Sequence, residues 1–186
     1  MPTFGILIIF NSGGYVTFSI PHSLKYMVYA IVFMNTFIVP VIISMLLVKK
    51  GIIGSMNMTT IQERRFPFLL TALFYFFTYY ILQKAPLPPV LYLVILGATL
   101  SVLITLIINL SWKISVHMVG IGGLLGAVIG ISMRFMLDMQ ILIIVLIICA
   151  GLIGFSRLKL NAHEPGQVYW GFLLGLSCEL LIIITA

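Results

Sequence analysis

The segment from Arg157 to Gln167 carries residue types that can bind an anion and transfer a phosphoryl group. Pro165 suits the first turn of a helix, where its missing N–H costs no hydrogen bond, so a helix is predicted to begin near Glu164 or Pro165. His163 would then lie at the helix N-terminus, where free N–H groups and the positive end of the dipole attract anions. Gln167 shares nearly the same helical face as His163, and Arg157 can bind an anion through two parallel N–H groups.

A second segment, from Ser111 to His117, offers a serine, a lysine and a histidine for the same task. Ser111 is predicted to be the N-cap of a helix, which would place Lys113, Ser115 and His117 in its first two turns. Residues two apart do not share a helical face. Ser115 and His117 can therefore contact one ligand only if the helix start is irregular or the ligand lies over the helix end.

Together the two segments have the composition of a phosphate site. One histidine can attack phosphorus while the other protonates the departing oxygen. The lysine and the arginine can stabilise the negative charge on the remaining phosphate oxygens. This interpretation requires a fold that brings both histidines to one place.

Composition indicates which fold positions these residues. Of the 186 residues, 62% are hydrophobic and 8% are charged, whereas soluble domains are about 45–50% apolar and about 25% charged. So few charges cannot cover a surface that faces water. That excludes a soluble enzyme and, despite the net charge of +6, a nucleic-acid-binding protein. The sequence predicts an all-α polytopic membrane protein, because apolar helices of about 20 residues satisfy their own backbone hydrogen bonds in lipid.

Six membrane-spanning helices are predicted, in a single membrane domain that covers residues 1–186. The segment from Phe4 to Ile20 is also apolar, but it is interrupted at Asn11-Ser12-Gly13-Gly14 and followed by Pro21. It is therefore predicted to be a short interfacial or re-entrant segment. The six predicted spans are 27–48, 66–82, 89–110, 114–133, 139–155 and 168–186.

The alternation of six spans assigns each loop to one side of the membrane. The loops after the first, third and fifth spans share one side, which we call the basic face. Seven of the ten lysines and arginines and two of the three histidines lie on it or at its edge. The basic residues are Lys49, Lys50, Arg64, Arg65, Lys113, Arg157 and Lys159.

Glycines repeat every four residues on the fourth and sixth spans. Small residues at this spacing let two helix backbones approach closely. Stripes that face each other would bring His117 and His163 together; packing against other spans is the alternative. The glycines are Gly122, Gly126 and Gly130 on the fourth span and Gly171 and Gly175 on the sixth.

Glu179 is the acidic residue inside the sixth span. It follows His163 by 16 residues, or about 24 Å along a helix, so we do not expect it to join the same site. Intramembrane acids are often functional. The alternative that we favour here is a protonated structural carboxyl that is hydrogen-bonded to a neighbouring helix.

The motifs resemble those of one membrane enzyme family. Ser115-Val116-His117, followed after two spans by Arg157-x5-His163, is similar to the type-2 phosphatidic acid phosphatase superfamily. That family carries Ser-Gly-His and then Arg-x5-His-x3-Asp, with the same two intervening spans. The resemblance implies that His163 is the nucleophile that forms a phosphohistidine and that His117 is the general acid. It also implies that Arg157 and Ser115 bind phosphate oxygens.

Two positions and one whole motif depart from the family pattern. Val116 replaces the glycine, and Gln167 stands where the family has the Asp that orients the nucleophilic histidine. The first family motif, Lys-x6-Arg-Pro, is not reproduced, since a phenylalanine separates Arg65 from Pro67. Arg64 and Arg65, together with Lys113, are assigned to phosphate binding because they lie on the basic face; lipid-headgroup anchoring is the alternative for the arginine pair.

The sequence therefore predicts a membrane phosphatase that hydrolyses a lipid phosphate or lipid diphosphate, with membrane lipids as its surroundings. No carboxylate cluster is present to bind a metal, so we expect a metal-independent reaction without a cofactor. The resemblance implies a bacterial inner membrane and a site that faces the periplasm. The alternatives are a catalytically weakened relative that binds phospholipid headgroups, and a transporter or assembly subunit. The sequence indicates no oligomeric state.

Overall fold

The protein is an all-α membrane bundle. The computed structural model describes residues 2–11, 20–56, 58 and 60–186, and within those ranges it contains seven helices and no β-strand. Six of the helices, α2 to α7, are long and apolar enough to cross a membrane, which confirms the predicted fold class. The helices are α1 (Pro2–Asn11), α2 (His22–Lys49), α3 (Ile61–Lys84), α4 (Pro89–Ile108), α5 (Val116–Phe135), α6 (Gln140–Lys159) and α7 (Pro165–Thr185).

Helix α3 begins five residues earlier than predicted because a capping box starts it. The Glu63 N–H donates to Thr60 Oγ1 (3.4 Å), and the Thr60 N–H donates to Glu63 Oε2 (3.2 Å). The other carboxylate oxygen of Glu63 accepts from the Gly54 N–H at 2.8 Å, which ties the preceding loop to the helix. Arg64 and Arg65 therefore lie in the first two turns of α3 and not in a loop.

The predicted start of α5 at Ser111 is wrong. The Ser111 N–H still bonds back to the end of α4, and the chain then runs on to Ser115, which has extended backbone angles (φ −82°, ψ 103°) and is the N-cap of α5. Lys113 and Ser115 consequently precede the helix, while His117 lies in its first turn. The helix start is thus irregular, which is one of the two conditions under which Ser115 and His117 could contact one ligand.

The glycine stripes of α5 and α7 face each other, as predicted, and these two helices form the most extensive contact among the described elements. A Cβ atom at Gly171 would lie 2.7 Å from the Ser115 carbonyl oxygen. The other glycines of the seam are equally restricted, since each meets a backbone carbonyl or side chain of the facing helix. The remaining pairs are Gly122 with Phe172, Gly126 with Leu176, Gly130 with Ile183 and Gly175 with Val119.

Helix α1 is too short to span a membrane and packs against α2, α4 and α5. The Oγ1 atoms of Thr3 and Thr36 are 3.4 Å apart, and Thr36 lies in a π-helical turn halfway along α2. The ring of Phe10 meets Tyr29, near the start of α2, edge to face at 5.1 Å. Helix α1 therefore runs from the middle of the bundle to the side opposite the basic face. The predicted break at Ser12 to Gly14 lies outside the described residues.

Candidate functional site

His163 is held directly before α7 by a side chain from the first turn of that helix. Its Nδ1 atom is 2.9 Å from Gln167 Oε1, which also accepts the Glu164 N–H at 3.4 Å. Helix α7 begins at Pro165, as predicted. Because an amide oxygen only accepts hydrogen bonds, this contact places the proton on Nδ1 and leaves the lone pair on Nε2. Nε2 of His163 is thus left free to accept a hydrogen bond or to attack an electrophile.

A backbone hydrogen bond joins the two predicted motif segments. The Ser115 N–H donates to the carbonyl oxygen of Gln167 at 3.2 Å, and Gly171, one turn further along α7, lies against the Ser115 carbonyl. The hydroxyl oxygen of Ser115 is fully buried and has no hydrogen-bond partner among the described residues. A donor left unpartnered in this way is available to a ligand oxygen.

Arg157 lies in the last turn of α6, and its Nε atom is buried without a partner in the described part of the chain. No carboxylate of those residues lies within ion-pair distance of it. The guanidinium groups of Arg157 and Arg64 lie close enough to His117 to interact with it electrostatically. The structure therefore brings Arg157 near His117.

The two neighbouring arginines have different positions. Arg64 is 7% exposed and donates from Nε to the Met58 carbonyl (2.9 Å) and from Nη1 to the Ile114 carbonyl (3.2 Å). A guanidinium has five N–H groups, so three remain for a ligand beside Ser115. Arg65 is exposed, and among the described residues its side chain donates only to the Leu110 carbonyl, at 3.4 Å. Arg64 belongs to the site, and Arg65 lies at its rim.

Burial and nearby positive charge shape the titration of His163. Burial lowers the pKa of His163, the hydrogen bond to Gln167 raises it, and the charges of Arg64, Lys113 and His117 lower it further. Burial and the charge of Arg64 also lower the pKa of Lys113. Burial and charge therefore favour the neutral imidazole of His163, and the cations that surround it repel one another. A bound anion would relieve that repulsion.

Three helices begin on the basic face, namely α3, α5 and α7, and each directs its positive end toward that side. The first turns of α5 and α7 meet beside His163, through the bond between Ser115 and Gln167. Backbone dipoles and side-chain charges thus favour the same ligand, an anion. The residues that the structure brings together here are His163, Gln167, Ser115, His117, Arg157, Arg64 and Lys113, which we call the anion cluster.

Glu179 differs from the sequence-based expectation. Its Oε2 atom has no hydrogen-bond partner among the described residues. The expected hydrogen bond to a neighbouring helix is therefore absent at this oxygen. Glu179 also lines a cavity whose lining includes His117, although His163 and Arg157 are not part of that lining. Glu179 is therefore separated from His163, as expected, but it shares a cavity with His117.

Asn109 was not identified from the sequence. It follows the last residue of α4, is fully buried, and has no partner within the described ranges for either Oδ1 or Nδ2. The sequence feature that could have identified it is an amide side chain at the end of an apolar span, on the basic face. Its buried polar atoms make it a further candidate for ligand binding.

The arrangement is suited to binding and transferring a phosphoryl group. Among the described residues, no three side chains of His, Cys, Asp or Glu are grouped so as to hold a metal ion.

Comparison with protein-family models, with curated proteins and with solved structures finds no match to this chain.

Proposed function

We propose that this integral membrane protein is a phosphatase that hydrolyses a lipid phosphate or lipid diphosphate through a phosphohistidine at His163. One observation carries the proposal. The hydrogen bonds of Gln167 hold His163 by its side chain and Ser115 by its backbone, so that both motif segments meet among unpartnered cationic and hydroxyl donors. The likeness of both motifs to the type-2 phosphatidic acid phosphatases supports the same reaction.

In the proposed first step, the neutral Nε2 of His163 attacks phosphorus and the bond from phosphorus to the lipid oxygen breaks. The negative charge of the bound phosphate favours the protonated form of His117, which gives its proton to that oxygen, so the lipid leaves as an alcohol or, from a diphosphate, as a monophosphate. Arg157, Arg64 and Ser115 stabilise the charge on the other phosphate oxygens. In the second step, His117 accepts a proton from water as the water attacks the phosphohistidine, which releases phosphate and restores His163.

The location follows from the proposal. A phosphorylated headgroup would bind at the anion cluster while its hydrocarbon chains stay in the bilayer. We place the protein in a bacterial inner membrane with the basic face toward the periplasm, as the resemblance implies.

Phosphate release by the purified full-length chain tests the proposal. A panel of lipid monophosphates and diphosphates in detergent micelles is compared for wild type, His163→Ala and His22→Ala. We expect His163→Ala to lower release by at least about 10³-fold. His22 lies at the start of α2 on the opposite side, so His22→Ala serves as the matched control and should retain full activity. Equal release by wild type and His163→Ala, with both proteins folded, contradicts the proposal.

A second candidate is favoured by Gln167. The amide fixes the His163 tautomer but supplies no charge to the imidazolium that forms during attack, and the Asp-to-Asn change in a Ser-His-Asp site costs about 10⁴ in turnover. The second candidate is therefore a protein that binds phosphorylated headgroups and turns them over very slowly, with the same arrangement of the anion cluster. Tight binding of lipid phosphates without release of phosphate would identify this function.

A further inference from the structure

A cavity of about 280 Å³ lies inside the bundle between α1, α3, α4, α5 and α7, and His117 is the one residue of the anion cluster in its lining. On α5 it is lined at intervals from Val116 to Ala127, which is about 17 Å along the helix axis. His117 lies near its end on the basic face. The lining is mostly apolar, and the volume is slightly below the range of about 300–1,000 Å³ for ligand pockets. These dimensions suit one hydrocarbon chain.

Glu179 places a carboxyl group inside this apolar cavity. The residue is 4% exposed, and two glycines of neighbouring helices make room for its side chain. A Cβ atom at Gly97 of α4 would lie 2.5 Å from Glu179 Oε2, and one at Gly123 of α5 would lie 3.4 Å from Glu179 Cγ. Gly123 follows His117 by six residues, so the carboxyl lies about 9 Å deeper than His117 along α5.

The carboxyl lacks a partner for one oxygen. Glu179 Oε2 is buried without a hydrogen bond in the described part of the chain, and an unsatisfied buried polar group costs about 1–3 kcal/mol. A protonated carboxyl has both an O–H donor and an acceptor oxygen. A ligand that offers an oxygen at this depth would satisfy it, whereas a purely hydrocarbon chain would leave it unsatisfied.

We propose that the cavity binds one chain of the lipid phosphate substrate and that Glu179 hydrogen-bonds to an oxygen carried by that chain, an ester carbonyl or a hydroxyl. The inference rests on the proposed function, which places the phosphate beside His117 and His163. Three backbone bonds span about 3.3–3.6 Å in an extended chain. An ester carbonyl six bonds from phosphorus therefore lies about 7 Å away, near the depth of Glu179. An isoprenoid chain has no oxygen there, so Glu179 is a specificity-determining residue.

Substrate preference tests this role directly. The ratio of kcat/KM for a monoacylglycerol phosphate to that for an unsubstituted alkyl phosphate of equal length is measured with the full-length protein. A third substrate is an alkyl phosphate that carries a single hydroxyl at the position of the ester. It distinguishes binding of a hydroxyl from binding of an ester carbonyl. We expect wild type to prefer at least one oxygen-bearing chain about tenfold, the effect of one hydrogen bond of about 1.4 kcal/mol. Absence of any preference in wild type overturns the inference.

Three variants then assign the preference to the carboxyl. Glu179→Leu should abolish it, whereas Glu179→Gln, which keeps a donor and an acceptor, should retain most of it. Gly97→Ala keeps the Glu179 residue but puts a Cβ atom 2.5 Å from its Oε2, so the carboxyl group must move. This variant should also abolish the preference, and it is the independent test if Glu179→Leu does not fold. An unchanged preference in the folded Gly97→Ala and Glu179→Leu proteins contradicts the role of Glu179.

A binding measurement separates failure of this inference from failure of the proposed function. If wild type releases phosphate from none of the lipids, the proposed function fails. The matched chains are then compared as non-hydrolysable phosphonates by native mass spectrometry of the detergent-solubilised protein. Tighter binding of the oxygen-bearing chain to wild type, lost in Glu179→Leu, supports the cavity site. Equal binding of both chains, or no binding, overturns it.

Discussion

The α5–α7 pair and helix α6 support the anion cluster in different ways. In the most apolar 18-residue stretch, 61% of residues are buried in α5 but only 17% in α6. Backbone carbonyls against glycines hold α5 to α7, whereas α6 exposes large side chains such as Leu152 and Phe155. The pair positions both histidines and Gln167, and α6 contributes Arg157. The proposed acid–base and nucleophilic groups thus depend on backbone packing, while one anion-binding group depends on a peripheral helix.

The largest effect is expected from a change that separates the pair. In Gly175→Val, the new side chain would collide with the carbonyl of Val119. Overpacking typically costs about 1–3 kcal/mol, and a clash with backbone allows little adjustment, so we expect loss of the folded bundle. Size-exclusion elution and the thermal midpoint measure it. The control is Gly151→Val on α6, where a Cβ atom meets nothing within 4 Å. Equal stability of Gly175→Val and Gly151→Val would show that the α5–α7 contact is no more sensitive to added side-chain volume than α6 is.

The contribution of α6 is tested by removing its arginine. We expect Arg157→Ala to lower phosphate release by about 10²–10³-fold, the typical cost of losing one preorganised donor to a charged transition state. Lys159 is on the same helix but is exposed, with its ammonium 5.8 Å from the Phe155 ring. Lys159→Ala should therefore retain activity, and the thermal midpoints of both variants should stay near that of wild type. A similar loss of phosphate release in both variants would mean that α6 contributes positive charge without a specific contact from Arg157.

Within the pair, a charge at Gln167 should increase turnover. Gln167→Glu preserves the length that gives the 2.9 Å contact to His163, and its carboxylate would stabilise the imidazolium. We expect at least about a tenfold rise, part of the roughly 10⁴ associated with the buried carboxylate of a Ser-His-Asp site. The added negative charge also raises the pKa of His163, so activity should be lost at a higher pH on acidification. Unchanged turnover would show that charge at this position is not limiting.

The smallest effect is expected at the edge of the cluster. The charge of Lys113 is one of those that lower the pKa of His163. Lys113→Gln should therefore raise that pKa and move the acid limb of the pH–rate profile to higher pH, with a loss of turnover at pH 8 smaller than that of Arg157→Ala. Lys84→Gln, on the opposite side of the bundle, is the control. A shift of the same size in Lys84→Gln would indicate a nonlocal charge effect.

Much of the fold was predictable because lipid imposes simple requirements. Apolar runs of about 20 residues predict the spans, and four-residue glycine spacing predicted that α5 and α7 face each other. The start of α7 also followed from the preference of proline for the first turn, since Pro165 is its first residue. These are local patterns whose physical consequence does not depend on the rest of the chain.

The errors concern features that tertiary contacts decide. Ser111 and Ser115 are both suitable N-caps by residue type, and the choice of Ser115 depends on a bond from its N–H to Gln167, more than 50 residues away. The position of Glu179 relative to His117 depends on the stagger between α5 and α7. Distance along α7 from His163 gives no information about that stagger, so the shared cavity was not predictable.

The glycine seam also limits how the bundle can move. Because carbonyls of each helix lie against glycines of the other at several successive turns, sliding or separating α5 and α7 would break the whole row of contacts together. Motions that open the interior of the bundle are therefore expected to come from helices outside this pair. The pair would act as the stationary frame against which these outer helices open and close.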